Sequence, residues 1–178
     1  MANPGFLQDK LDIKMLELYL LARAAGPVAP DMLADLTLAH DGVSYFDFAE
    51  ATAELVERGN IALEGEGYVI TPKGRENSLA CESSLPYSVR RRSDEALAPI
   101  NAALRRKAQI RGEKAEQPDG SVKARMILDD DNGNLLTVEL LCPSAEQADK
   151  LIASFREKPE KLYNTILSAL SEEKEEKS

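Results

Sequence analysis

The run SYFDFAEATAELVERGNIALEGEGYVITPKG, residues 44–74, carries the pattern that decides the fold. Ser44 has the short polar side chain that caps a helix N-terminus, and Tyr45-Phe46-Asp47-Phe48-Ala49-Glu50 follows it directly. Gly59-Asn60 supplies a C-terminal stop after Leu55, Val56 and Arg58. Ile61-Ala62-Leu63 and Tyr68-Val69-Ile70 read as short strands around Glu64-Gly65-Glu66-Gly67, a turn whose glycines tolerate positive φ. Thr71-Pro72 restarts a helix, with Thr71 as cap and Pro72 in its first position. Helix, hairpin and helix in that order predict the back half of a winged helix-turn-helix.

Upstream, the periodicity predicts a helix over residues 9–25, in which Leu11, Met15, Leu18 and Ala22 recur on one face. Ile13, Leu16 and Leu20 widen that stripe beyond what a surface helix of a small domain needs, so part of it is expected to pack on a second chain or on the C-terminal domain. Gly26-Pro27 ends the helix, residues 30–36 form a short second one, and His40-Asp41-Gly42 is a turn with His40 as a turn residue. Three helices and a two-stranded wing in about eighty residues have the size of a winged helix.

On a helical wheel, Tyr45, Phe48, Ala49, Thr52, Leu55 and Val56 collect as the expected core face of the third helix. Asp47, Glu50, Glu54 and Glu57 fall within roughly 80° of arc on the other side. In a major groove these carboxylates would meet phosphates and base-edge acceptors, whereas base contacts usually come from Arg, Lys, Asn and Gln. The stripe is either a solvated face or an interaction surface for a basic partner.

Positive charge lies elsewhere. Lys73 and Arg75 flank the start of the helix after the wing, where free backbone N–H groups also favour phosphate. Arg90-Arg91-Arg92, and Arg105-Arg106-Lys107 with Arg111, sit on a helical connector. Each triplet spreads around the helix, so it either solubilises the connector and pairs with acidic neighbours or offers part of a phosphate-binding stripe. Ser83-Ser84-Leu85-Pro86 predicts a break before that helix, and Pro99 a kink or second break within it. A long helix after a wing, with one apolar side, is a common dimerisation element.

Downstream, residues 110–116, 122–128 and 135–142 alternate as three strands, joined at Gln117-Pro-Asp-Gly120 and Asp129-Asp-Asp-Asn-Gly-Asn134 as an antiparallel meander. Ser144 and Gln147 form a capping box for a helix carrying Ala148, Leu151, Ile152 and Phe155. After Lys158-Pro159 a last helix presents Leu162, Tyr163, Ile166, Leu167 and Leu170, and the two helices are expected to cover one face of the sheet. The fold class is therefore α+β: a winged-helix domain over 1–82, a helical connector over 83–111, a small α+β domain over 112–170 and an acidic tail over 171–178.

The 178 residues carry net charge −9, which argues against a general polyanion binder. The acidity is uneven, with six basic and twelve acidic groups in residues 1–75, eight and five in 76–115, and eight and fourteen in 116–178. No basic start with an apolar run follows Met1, and no segment approaches the ~20 apolar residues of a membrane span, so a cytoplasmic location is expected. Cys81 and Cys142 are then buried reduced thiols. The turn at 129–134 fails as a calcium loop, because Gly133 and Leu140 stand at its fifth and twelfth positions. His40 is the only histidine, and no nucleophile pair, phosphate loop or dinucleotide motif is present, so neither an enzyme, a metal nor a cofactor is expected.

Gly42-Val43-Ser44-Tyr45 with Phe46-Asp47-Phe48-Ala49-Glu50, and above all Cys81-Glu-Ser-Ser-Leu-Pro-Tyr-Ser-Val-Arg90, resemble a bacterial family catalogued as domain of unknown function 4364. The resemblance covers nearly the whole chain and implies a winged-helix-like, regulatory protein without an assigned ligand or reaction. The expectation is a homodimeric DNA-binding transcriptional regulator. Ser44 and Tyr45 would touch DNA at the helix start, Lys73 and Arg75 beside the wing, and Arg90, Arg91 and Arg92 at phosphates. The alternative is a non-enzymatic adaptor that binds protein through Asp47, Glu50, Glu54 and Glu57.

Overall fold

The computed structural model describes Leu7 and residues 9–171; all of the acidic tail but Ser171 lies outside the described residues. The chain is α+β and divides into two compact units, Met1–Arg105 and Arg106–Ser178.

In the first unit, α1 (Lys10–Arg23), α2 (Pro30–Leu38) and α3 (Tyr45–Glu57) precede the hairpin β1 (Ile61–Glu64) and β2 (Gly67–Ile70), and α4 (Pro72–Cys81) follows. Each boundary has a local cause. Asp9, Ser44 and Thr71 accept the backbone N–H groups of Asp12, Asp47 and Gly74 at 3.0–3.1 Å, and each such cap is worth about 1 kcal/mol. Gly59, at φ +69°, ends α3. Val28, between α1 and α2, exchanges backbone hydrogen bonds with Tyr68 at 2.8 and 3.0 Å, which ties the hairpin to the helices.

α1 is the axis of this unit. Ile13 and every residue from Leu16 to Leu21 are buried, and its neighbours are α2, α3, α4 and β2. The wide apolar arc is therefore used inside the unit, against Phe48, Leu55 and Ile61 and against Val89 and Leu97 of α5 (Tyr87–Gln109). That corrects the expectation of an outside partner for α1; only Leu11, 60% exposed, stands clear of the core. Val89 and Leu97 of α5 are spent in this core, with Ile100 packed against it, while Ala103 and Ala108 further along the same helix are exposed. A short 3-10 turn at Glu82–Ser84 makes the expected break before α5, but Pro99 does not interrupt it. Pro99 lies on the exposed side of the unbroken helix, and its missing N–H leaves one carbonyl of the preceding turn without an intrahelical donor.

In the second unit β3 (Ile110–Glu116), β4 (Val122–Asp130) and β5 (Gly133–Cys142) form an antiparallel sheet in sequence order. The second hairpin is tighter than its sequence suggests. Asp129 pairs with Asn134 and Asp130 with Gly133 beyond a bulge after Leu128, and the Asp130 carboxylate accepts the N–H groups of Asn132 and Gly133. Val122, Ala124, Met126 and Leu128, every second residue of β4, pack beneath α6 (Ala145–Glu157) through Ala148, Ile152 and Phe155. Gly112 lets α6 approach β3, because a Cβ there would stand 2.3 Å from the Ile152 side chain. The last helix, α7 (Pro159–Ser171), covers less than expected: Leu167 and Leu170 are 45% and 79% exposed.

Candidate functional site

The third helix is the natural place to look, and its phase differs from the wheel. Phe48, Ala51, Thr52 and Leu55 are buried, whereas Tyr45 and Val56, expected in the core, are 67% and 41% exposed. The core face is set by packing on α1 and α2, and it turns Tyr45, Phe46, Ala49, Ala53 and Val56 outward. Phe46 is 74% exposed, and the Tyr45 ring leans on that of Phe48 with 6.0 Å between centroids. The outward surface of α3 is thus largely apolar, with Glu50 and Glu57 at its margins.

The same rotation removes the acidic stripe as one free surface. Glu54 faces α1, where Lys14 and Lys10 bind it, and Lys10 also meets Glu50 at 2.7 Å. The Lys14 and Lys10 ammonium groups hold the Glu54 carboxyl below its ordinary range, and Glu50 above all holds Lys10 above its own. Asp47 accepts a 2.5 Å hydrogen bond from the Ser44 hydroxyl, within the cap itself. Of the four carboxylates, Glu50 and Glu54 are ion-paired, and neither Asp47 nor Glu57 makes an ion pair with a described residue. Ser44, as the cap, is occupied by backbone rather than offered outward.

Beside the apolar face runs a groove of about 530 Å³ between α2 and α3. Ala34 and Leu38 line it from α2, Ala49 and Ala53 from α3, and Phe48 and Tyr68 line it as well. Asp31 and Asp35, both exposed, line it from α2.

The basic candidates do not converge. Lys73 donates to the Arg58 carbonyl at 2.7 Å, at the C-terminal end of α3, about 20 Å along the helix from Ser44 and Tyr45. Arg75 donates to the Ala22 carbonyl of α1 at 3.1 Å. Both side chains satisfy carbonyls near helix ends, a sufficient structural reason for a cation at each place. On α5, Arg90 turns inward to Glu82 at 3.8 Å, in a cluster where Arg23 pairs with Glu82 at 2.8 Å. Arg91 pairs with Glu95 at 3.1 Å, and Arg92 is exposed without an ion pair to a described residue.

Two buried polar groups escape sequence reasoning. Glu17 is fully buried between Leu16 and Leu18, accepts a 2.9 Å hydrogen bond from the Thr52 hydroxyl, and leaves Oε1 without a partner. Burial pushes its carboxyl up to about 8. The signal was available, since a helix apolar almost all round has no solvent side for its polar residues. His40 is more than a turn residue: its buried Nε2 lies 3.1 Å from Ser93 Oγ of α5, and burial, with Arg92 nearby, lowers its pKa. Cys142 is buried as expected, but Cys81 is only half-buried; both are free thiols. Among the described residues no group of three or more His, Cys, Asp or Glu could hold a metal ion, and no helix is long and apolar enough to cross a membrane.

The family model for a domain of unknown function, DUF4364, matches residues 13–170. The chain belongs to the DUF4364 family. No curated protein and no solved structure matches it. In this DUF4364 chain the match spans α1 to α7, so both units belong to the family's shared region.

Proposed function

We propose that the first unit is a winged helix used as a protein-binding module, and that this DUF4364 chain is a non-enzymatic cytoplasmic adaptor. The winged-helix reading rests on the order of three helices, a hairpin and a fourth helix, with Val28 bonded to the hairpin. The observation that carries the function is the apolar outward face of α3, with Tyr45 and Phe46 67% and 74% exposed beside the α2–α3 groove. Exposed aromatic residues at a groove are typical anchors for a partner's apolar side chains. The unit holds ten basic and sixteen acidic residues, and Asp31, Asp35, Glu50 and Glu57 lie along this surface. A basic amphipathic helix is the complementary partner.

A DNA-binding transcriptional regulator is the second reading. It is favoured by the element order and by the exposed cations Arg91 and Arg92, with Lys73 and Arg75 as further phosphate contacts. Two titrations separate the readings. A Lys/Arg-rich amphipathic helical peptide, added to isotopically labelled protein, should shift the amides of Ala34, Ala49, Ala53 and Tyr68, and Ala49→Glu/Ala53→Glu should abolish the shifts. Labelled DNA from the chain's own upstream region should show no sequence-selective anisotropy change at physiological salt. Selective DNA binding that weakens on reversing Arg91 and Arg92 and survives the groove variant would move the conclusion to the regulator.

A further inference from the structure

The sheet of the second unit has two outer strands of opposite character. β3 carries Arg111, Glu113, Lys114 and Glu116 within seven residues, the kind of charged edge that resists another strand. β5 is ten residues long and holds Leu135, Leu136, Val138, Leu140 and Leu141 against a single charge, Glu139. That charge is already engaged, with Lys123 and Arg125 of β4 each 3.6 Å away. Leu141, Leu140 and Leu135 are 65%, 44% and 41% exposed. Beside the strand an apolar groove of about 450 Å³ separates Val138 and Leu140 from Leu162 and Ile166 of α7.

We propose that β5 pairs antiparallel with β5 of a second copy of this chain, about a two-fold axis midway between Val138 and its own copy, making one six-stranded sheet from two three-stranded ones. The occupant follows from self-complementarity. A two-fold perpendicular to the sheet keeps inner-face residues opposite inner-face residues, so the axis runs midway between one residue and its own copy and never sets two consecutive residues opposite each other. Centred on Val138, the register sets Leu136 against Leu140, an apolar pair matched twice, and brings Leu141 to the end of the seam beside Leu135, the extra residue where the β4–β5 register shifts. It also sets Glu139 against Thr137. Centred on Glu139, the two glutamates would face each other; centred on Thr137, Leu135 would face Glu139. Only the Val138 register sets the inner-face leucines Leu136 and Leu140 opposite each other.

Light scattering on the full chain should give twice the 19.5 kDa chain mass and revert towards one chain on dilution. Leu135→Lys/Leu141→Lys places lysine beside lysine at the ends of the seam, and should raise the dimer Kd by about ten-fold or more with an unchanged circular dichroism spectrum. A chain that stays at one-chain mass at every concentration overturns the interface, as does a dimer whose Kd the double variant leaves unmoved. Three single variants, Thr137→Cys, Val138→Cys and Glu139→Cys, read the register under mild oxidation, with the wild type and its two native cysteines as background. Val138→Cys should cross-link most, because only there do the two Cβ atoms face each other within reach of a disulfide. Dominant cross-linking at 137 or 139 overturns the axis.

Discussion

Glu17 and His40 show how a single buried group sets the pH response of the first unit. The folded chain holds the Glu17 proton from about pH 4.5 to about 8, a range in which the unfolded chain releases it. Stability is therefore fully present below the unfolded pKa and is lost as pH rises towards 8, by several kcal/mol at most. His40 acts in the other direction: its folded pKa lies below 6.5, so its contribution is present above 6.5 and is lost as pH falls through the lowered value. Between pH 6.5 and 8 Glu17 acts without that opposition. Glu17→Gln keeps the shape and removes the ionisation, so the fall in melting temperature across that window should flatten in the variant. Parallel slopes for the two proteins would sink the assignment. The all-round apolar pattern of α1 signals a buried place for Glu17, whereas nothing in the sequence marks His40 as buried. Sequence gives residue type and periodicity, but the burial of Glu17 depends on α1 being enclosed by elements up to 80 residues away, such as Val89 and Leu97.

At the level of elements, what is local was readable and what depends on phase was not. The caps at Ser44, Thr71 and Ser144, the stop at Gly59 and the three strands of the meander follow from neighbours within a few residues. The orientation of α3 does not, because its sequence offers two apolar sets, one with Phe48 and Leu55 and one with Tyr45 and Val56. Only packing against α1 and α2 chooses between them, and that choice converts an expected acidic face into an apolar one. The Lys10 and Lys14 pairs with Glu50 and Glu54 follow the same geometry. Placement of α4 rests on a close approach: a Cβ at Gly74 would lie 1.9 Å from the Asn60 carbonyl oxygen, which also accepts from the Thr71 backbone at 3.0 Å. Gly74→Ala should therefore cost about 1–3 kcal/mol, read as a lower urea midpoint, although alanine is the better helix former. A gain in stability would mean that α4 can move away from Asn60 at no cost.

At the scale of the whole molecule, the described residues form two hydrophobic clusters, one built around α1 and one beneath α6, with no residue in common. Its proposed surfaces are divided in the same way, with the α3 face in the first unit and the β5 edge in the second. Each unit should therefore be open to perturbation without loss of the other's fold. Ile152, 6% exposed and seated over Gly112, is the place to test this. Ile152→Ala removes a buried branched side chain above a glycine that cannot fill the space, which should cost the second unit about 2–5 kcal/mol. Hydrogen exchange resolved by peptide should then show faster exchange through β3, β4 and α6, while α1, α3 and the β1–β2 hairpin keep their protection. Equal acceleration in both units would mean that the two clusters unfold as one cooperative body. If the effect is confined to the second unit, Ile152→Ala becomes a tool as well as a test, because dimerisation through β5 should weaken while peptide binding at the α2–α3 groove is retained.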